Sequence, residues 1–420
     1  MKSLFKTIIT RLLIHKAKRY LKKHHTQIIA ITGSVGKTST KHAVYHLLKK
    51  RSSVYASAKG FNTEIGLSLA ILQQERSGFS SLSAWGAILW DVLFKAKPGY
   101  EKMVVEMGAD QPGDIQKLIR IAPPDIAIVT NVNPVHLAEG QFASIDDIQK
   151  EKGQLIQGLS EEKWAIVNAD DPRVMAMPTQ AKRFTYGKSD AADLRAHSIQ
   201  VSPTDLRFMV NYKNGSAPFV VPVLGDFQIN VLLPAIAVGL NAGLTLEECA
   251  SALEDFTLPP GRMNPIEGIE NTNIIDGSYN ASPTNMRAAL ELIDTLKAPR
   301  KIAVLGTMNE LGEETKTAHH DIGEQAAHVA NLLIFLAPEA AAFKQGALKG
   351  GAKEKDIYTF LDAAEATDFI RGQLQANDLV LVKGSQNRVR LERLVKVIMR
   401  HPERASQLLC RQEKEWDPIA

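Results

Sequence analysis

Ile28-Ile29-Ala30-Ile31-Thr32-Gly33-Ser34-Val35-Gly36-Lys37-Thr38-Ser39-Thr40 decides the fold. An apolar run leads into a turn with two glycines, then a lysine, then hydroxyl residues that open a helix. Glycine leaves backbone N–H groups open to phosphate oxygens, and a helix N-terminus adds partial positive charge. The pattern is Gly-x-x-Gly-Lys-Thr, two residues shorter than the usual phosphate loop. In such a cradle Lys37 meets the β- and γ-phosphates and the Thr38 hydroxyl ligates Mg²⁺. A bare Gly-Lys-Thr also suits a polar helix cap, but the strand before it and the helix after it point to a bound nucleoside triphosphate.

Outward from the cradle, short β-branched runs alternate with helical patterns as far as residue 258. Strands are expected at 28–32, 103–106, 126–130 and 165–168, the signature of a mostly parallel sheet wrapped by helices. Between 183 and 223 the pattern shortens (207–212, 219–223), which suggests an antiparallel appendage. Pro259-Pro260-Gly261 reads as a linker. A second α/β series follows, with strands at 273–276, 301–305, 332–336 and 378–382. The expected fold is therefore α/β: a P-loop-type central domain over 28–258 and a smaller, doubly wound, Rossmann-like domain over 259–420.

Four features stand behind the cradle. Glu106 closes a strand, where open parallel sheets place their ligands, and can bind a metal or cap a helix. His136 follows another strand end and can face the same metal or serve the packing. Lys152, in Lys150-Glu151-Lys152-Gly153, reads as a solvated surface residue in a charged helix. Asp276 ends a strand in the second domain and can accept from ribose hydroxyls, although Asp, Asn, Ser and Pro also make ordinary turns.

The 420 residues allow two or three domains, and a composition 45% hydrophobic and 23% charged is that of an ordinary globular protein. Two distant cysteines, Cys249 and Cys410, fit a reducing compartment and no disulfide framework. No apolar run is long enough to span a bilayer, and the first apolar stretch is too broken by charge for a signal peptide. The expected location is the cytoplasm. The net charge of +4 hides an asymmetry: residues 1–27 hold eight Lys/Arg and no acid, which leaves 42 basic against 46 acidic residues elsewhere. A slightly acidic body argues against nucleic acid as a partner. Residues 1–27 form an expected basic amphipathic helix that either docks on the body or lies peripherally on the inner face of a membrane. The apolar segment 84–94, with Trp85 and Trp90, is expected to be a core helix, an exposed patch being the alternative.

Together these residues resemble the Mur ligases. The matching phrases are Ile31 through Thr38, Phe61-Asn62-Thr63-Glu64-Ile65-Gly66-Leu67, Glu106-Met107-Gly108-Ala109, Asn131 through Leu137 and Asn168-Ala169-Asp170-Asp171. They continue with Gly261-Arg262-Met263, Asp276 through Pro283, Val304 through Gly312 and Leu381-Val382-Lys383-Gly384-Ser385. The resemblance implies that Gly33, Ser34, Gly36, Lys37, Thr38 and Ser39 hold ATP, with Arg262 at its phosphates and Asp276 at its ribose. It implies Mg²⁺ at Thr38, Glu106, His136 and Lys152, the lysine being carbamylated and so carboxylate-like. Lys37, Lys152 and His136 are then the catalytic set; Asn62, Thr63, Glu64, Lys383 and Ser385 are implied on the substrate side.

The implied reaction moves the γ-phosphate of ATP onto a carboxylate, and an amine then attacks the acyl phosphate. The two domains are expected to close over that intermediate, with a hinge near 259–262. The branch most resembled joins D-alanyl-D-alanine to a muropeptide donor, a muramoyl-tripeptide. Two departures qualify the match. Family members usually begin with a separate domain that grips the UDP of the donor; here a basic helix precedes the cradle, so the UDP-sugar is held differently or the donor is another molecule, such as a lipid-linked muropeptide. Phe227, Gln228 and Val231 occupy the usual adenine-contact positions, unless Asn230 substitutes after a shift. A non-catalytic nucleotide-binding protein with the same fold is the remaining alternative.

Overall fold

The apolar runs expected to be strands form the centre of a parallel sheet. The protein is described here by a computed structural model covering residues 2–57, 62–74, 82–95, 97–135, 137, 140–336, 338–385, 389–413 and 416. The first sheet contains β1 (Gln27–Thr32), β2 (Val54–Ala56), β3 (Lys102–Glu106), β4 (Ile126–Val129), β5 (Trp164–Asn168), β6 (Lys182–Gly187), β7 (Leu194–Val201), β8 (Leu206–Tyr212) and β9 (Gly215–Val221). Its order is β2-β3-β1-β4-β5-β6-β7-β8-β9. Every pairing from β2 to β7 is parallel. Strands β8 and β9 are joined by only Lys213 and Asn214 and so form an antiparallel hairpin, but β6 and β7, in the 183–223 span expected to be an antiparallel appendage, instead extend the parallel sheet.

The helices of this part are α1 (Lys2–His24), α2 (Lys37–Leu48), α3 (Glu64–Ile71), α4 (Leu82–Phe94), α5 (Asp114–Ile121), α6 (Ile145–Gln157), α7 (Pro172–Met175), α8 (Ile229–Asn241) and α9 (Leu246–Leu253). Alternate strand residues face opposite ways. Ile28, Ala30, Met103, Val105, Ala127, Val129, Ala165 and Val167 therefore share one core with Ile9 and Leu13 of α1, Leu67 of α3, Ile88 of α4, Leu118 of α5 and Ile148 of α6. Helices α2 and α8 pack on each other, α2 against β1 and α8 against β5.

Helix α1 docks. Ile9, Leu13, Ala17 and Tyr20 are buried, and the Tyr20 hydroxyl donates to the Pro98 carbonyl at 2.5 Å. The solvent side keeps Arg11, Lys18, Arg19, Lys22 and Lys23. Helix α4 divides in the same way: Ile88 is buried, while Trp90, Leu93 and Phe94 are exposed. The expectation of a core helix holds for one face only.

A second sheet contains β10 (Asn264–Glu267), β11 (Asn273–Gly277), β12 (Lys301–Leu305), β13 (Leu332–Leu336), β14 (Ile357–Phe360) and β15 (Leu379–Lys383), in the order β10-β11-β15-β12-β13-β14. It is parallel except for the edge strand β10. Its helices are α10 (Pro283–Thr295), α11 (Thr315–Val329), α12 (Ala340–Lys349), α13 (Ala363–Gln373), α14 (Leu391–Ile398) and α15 (Ala405–Leu408). Met286, Ile322 and Phe343 of α10–α12 bury one core with Ala303 and Leu305; Ile370 and Leu394 of α13 and α14 bury the other with Ile302 and Val304. Helices on both faces define the doubly wound type. By internal contacts the chain forms two compact units: residues 1–198, 208–220 and 229–256 make one, and residues 199–207, 221–228 and 257–420 the other.

One buried ionic knot holds the end of the second unit. Glu392 pairs with Arg390 through Oε1 and with Arg411 through Oε2 at 3.4 Å, all three side chains being under 5% exposed. Arg411 also donates to the carbonyls of Ser278 and Tyr279. Removing one member of a buried pair leaves the other charge without compensation, which costs about 3–5 kcal/mol. Glu392→Ala is expected to lose that much in urea unfolding of the second unit; a change under about 1 kcal/mol would place no weight on the knot.

Candidate active site

The cradle is built by the sheet. β1 ends at Thr32, Gly33 to Gly36 turn, and α2 starts at Lys37. Gly33 has φ 146° and Gly36 φ 90°, both in the region that favours glycine. A Cβ at Gly33 would lie 1.9 Å from Thr130 Oγ1. The segment after β4 is the clamp. Thr130 Oγ1 donates to Val35 O at 2.8 Å, Val35 N to Asn131 Oδ1 at 2.8 Å, and Ser34 N to Asn131 O at 3.0 Å. Ser34 Oγ donates to Asn133 O at 3.0 Å. The loop is thus preorganised by side chains that the glycine-lysine pattern does not reveal. Gly33→Ala is expected to abolish ATP binding and to cost about 1–3 kcal/mol by overpacking. Adding Thr130→Ala should recover part of the stability, and thermal melts with and without ATP check both.

Lys37 Nζ donates to Gly33 O at 2.7 Å and to Ser34 O at 3.4 Å, folded over the loop it is expected to serve. Register puts Glu106 beside Ile31, at the mouth of the cradle. Thr38 Oγ1 donates to Glu106 Oε2 at 3.1 Å. Lys41, one turn along α2, places Nζ 2.9 Å from Glu106 Oε1 with both side chains almost fully buried. Lys41 escaped the sequence reading, though its three-residue spacing from Thr38 sets both on one helix face. Ser39 is buried in the same turn.

Lys152 is 1% exposed, which corrects the expectation of a solvated residue. Helix α6 turns Ile148, Glu151, Lys152, Leu155 and Ile156 inward, so its charged sequence conceals a buried face. Burial first, and then the charge of Lys37, pull the Lys152 amine down to about 7, with Asp110 and Glu151 opposing. Glu151 is itself committed: its carboxylate accepts from Gly113 N at 2.8 Å and Ile115 N at 2.7 Å, capping α5. His136 lies outside the described residues.

Nearby, Asn62 Oδ1 accepts from Gly108 N at 3.3 Å, two residues beyond Glu106. Thr63 caps α3 by accepting from Gly66 N, and Glu64 opens that helix. At the first turn of α8, Asn230 Oδ1 is buried without a hydrogen-bond partner among the described residues. Its neighbour Val231 comes within 3.8 Å of the Cβ position at Gly36. Asn230 is therefore a polar group beside the cradle with an acceptor to spare.

The second unit holds the other expected residues. Asp276 is the last residue but one of β11, fully buried; Oδ1 accepts from Ser278 N at 3.0 Å, and Oδ2 has no partner among the described residues. Burial raises its carboxyl to about 6. The Arg262 guanidinium stacks on Tyr279 at 4.1 Å, and its Nε is buried without a hydrogen bond among the described residues. Lys383, lowered to about 8 by burial, donates to Asn280 O at 3.0 Å. Ser385 Oγ donates to Asn280 Oδ1 at 3.0 Å and accepts from Ala281 N at 3.2 Å. These two side chains tie the 277–283 turn to the end of β15.

A parallel sheet whose first strand ends in a clamped glycine cradle, with a lysine and a hydroxyl opening the next helix, defines a P-loop nucleotide-binding domain. Comparison with known proteins agrees. Residues 31–239 match the Mur ligase middle domain, and residues 261–386 match the Mur ligase glutamate ligase domain. The UDP-N-acetylmuramoyl-tripeptide–D-alanyl-D-alanine ligase of Bacillus subtilis is 30% identical over 389 residues, 92% of this chain and 79% of that one. The protein of the same description from Mycobacterium leprae is 32% identical over 392 residues, 86% of this chain and 71% of its own. Among solved structures, MurF ligase of Thermotoga maritima in complex with ADP aligns with TM-score 0.78 and 27% identity, covering 94% of this chain and 84% of that one. The chain belongs to the Mur ligase family. It is an ATP-dependent ligase that forms amide bonds, using Mg²⁺.

The residues fit the metal. Cis ligands of an octahedral ion at about 2.1 Å are about 3.0 Å apart. Thr38 Oγ1 and Glu106 Oε2 stand at 3.1 Å, and both are hard oxygen donors.

Proposed function

We propose that this ligase joins D-alanyl-D-alanine to the carboxyl end of a muramoyl-tripeptide, with ADP and phosphate as the other products. The supporting observation is the charge arrangement at the cradle. Lys41 pairs with the buried Glu106 beside Thr38, and Lys37, folded over the glycine turn, is close enough to the buried Lys152 amine to lower its pKa. A lysine over a glycine turn, with a hydroxyl and a carboxylate at its mouth, suits a triphosphate and its metal. The branch follows from the B. subtilis and M. leprae relatives, both described as UDP-N-acetylmuramoyl-tripeptide–D-alanyl-D-alanine ligases.

A carboxylate is a poor electrophile. Its oxygen attacks the γ-phosphorus of ATP, the bond to the bridging oxygen breaks, and ADP leaves. The resulting acyl phosphate is attacked by the amine of the dipeptide; phosphate departs and the amine proton passes to solvent. Lys37 steadies the charge on the transferring group, and the loop amides hold the rest of the triphosphate. Thr38, Glu106, His136 and carbamylated Lys152 would hold Mg²⁺, which neutralises phosphate charge when bound. The neutral Lys152 amine adds to CO₂ and releases a proton, which leaves a buried carbamate anion in place of the amine. Asn230 serves the adenine in place of Phe227, Gln228 and Val231. Arg262 and Asp276 each offer a buried polar atom to the nucleotide. Asn62, Thr63, Glu64, Lys383 and Ser385 act on the substrate side, Asn62 through the Gly108 strap and Ser385 by shaping the 277–283 turn.

Phosphate release decides the reading. It should require ATP, D-alanyl-D-alanine and a muropeptide donor together, and a panel of UDP-linked and lipid-linked donors identifies the carrier. ATP binding with no donor-dependent release would leave a nucleotide-binding protein and no ligase. No helix among the described residues is long and apolar enough to cross a membrane. The partner of residues 1–27 is, in this reading, a membrane surface met from one side: α1 buries one face and leaves Arg11, Lys18, Arg19, Lys22 and Lys23 in solvent.

A further inference from the structure

We propose that the outer face of α4, together with the cationic side of α1 and Arg120 of α5, is a docking surface for an anionic lipid bilayer. The inference rests on the reading of residues 1–27 just given and adds an apolar anchor from a second helix.

Trp90 is 61% exposed and Phe94 66% exposed, with ring centroids 4.4 Å apart, and Leu93 is exposed beside them. They stand one helical turn apart on a helix whose other side is engaged: Ile88 is buried in the core, and Trp85, Leu89 and Val92 pack against it. The pair is therefore a surplus apolar surface rather than part of a loose helix. The acid on α4, Asp91, is turned inward at 6% exposure and paired with Lys95 at 2.8 Å. Among the described residues of α4 no other acid occurs, so the helix itself sets no negative charge beside the rings.

Helices α1 and α4 cover the same face of the first sheet, because their inner residues share one core. A bilayer lying against that face would meet both helices. On α1 the outer stripe runs Ile8, Arg11, His15, Lys18 and Lys22, spaced three and four residues apart, with no acid in residues 1–27. Lys18 and Lys22 meet Arg120 around an open hollow of about 330 Å³ floored by Leu21, Ile121 and Pro123. Three cations around an apolar floor match a phosphate headgroup and the top of its acyl chain. Trp with an apolar body and a polar N–H suits the same boundary. One weak attachment does not hold a protein on a bilayer, but an apolar contact joined to a basic patch does. A second copy of this chain fits less well, because a twofold contact would bring cationic stripe against cationic stripe.

The test is sedimentation of the full chain with phosphatidylcholine vesicles and with vesicles containing phosphatidylglycerol as well. Binding is expected only to the second kind, with release by high salt and a blue shift of tryptophan emission absent from Trp90→Phe. The double variant Trp90→Ser and Phe94→Ser should lose about tenfold or more in bound fraction. Lys18→Glu with Lys22→Glu and Arg120→Glu should lose at least as much. Thermal melts and ATP binding should be those of the parent protein in both variants. If the charge variant loses binding and the aromatic variant keeps it, the α4 anchor is overturned while α1 retains its membrane partner. If the parent protein ignores both vesicles, both readings fall. If ultracentrifugation shows dimers that the aromatic variant lacks, the patch belongs to a second copy and the proposal is overturned.

Discussion

Lys37→Ala is expected to reduce donor-dependent phosphate release by a factor on the order of 10²–10³, the usual loss when one charge-stabilising donor is removed from a transfer site. The loss should fall on kcat more than on KM, because the ammonium matters most when charge develops on the transferring group. The fold should survive. Lys37 is half-buried, and its hydrogen bonds run to Gly33 O and Ser34 O, within a loop clamped independently by Thr130, Asn131 and Asn133. Lys37→Arg should not restore activity, since a planar guanidinium does not occupy the space of a compact ammonium. An unchanged kcat in Lys37→Ala would remove the cradle from the chemistry.

Lys152→Ala is expected to be about as damaging, with one distinguishing property. Added acetate or propionate should restore part of the activity by standing where the carbamate stood. A merely structural lysine would not respond to a small anion. Removing CO₂ from the buffer should lower parent activity, and bicarbonate should return it. The unmodified amine also has a signature in stability. Its folded pKa of about 7 lies below the unfolded value of 10.5, so above pH 7 the unfolded chain carries the extra proton. Unfolding free energy therefore rises with pH between 7 and 10.5 in CO₂-free buffer and is flat with respect to this group below 7. Lys152→Met should remove that slope. Urea midpoints at the two ends of the window measure it.

The contrast between Lys37 and Lys152 shows what the sequence reveals and what it hides. Lys37 is legible because strand, glycines, lysine and hydroxyls are contiguous, and local backbone chemistry alone dictates a phosphate cradle. The strands at 301–305 and 332–336 emerge with the bounds expected, because fully buried parallel strands are continuous apolar runs. Lys152 is illegible from its own surroundings. A stretch reading Lys-Glu-Lys-Gly looks solvated, and only the packing of α6 reveals that Glu151 caps α5 and that Lys152 is buried within reach of the Lys37 charge. Resemblance to a family singled it out where composition could not. Lys41 and the Thr130–Asn133 clamp depend on long-range register, which no local pattern encodes. Helix α4 shows a third case: its sequence is apolar nearly all round, so the exposed side at Trp90 and Phe94 becomes visible only once Ile88 is seen to face the core.

At the centre stands the transfer of the γ-phosphoryl group of ATP to an oxygen of the donor carboxyl, with ADP leaving. A muropeptide donor carrying oxygen-18 in its reacting carboxyl, incubated with ATP and D-alanyl-D-alanine, tests it through the mass of the released phosphate. One labelled oxygen is expected in each phosphate, handed over when the amine displaces it. Unlabelled phosphate, with amide product formed at the same rate, would contradict it.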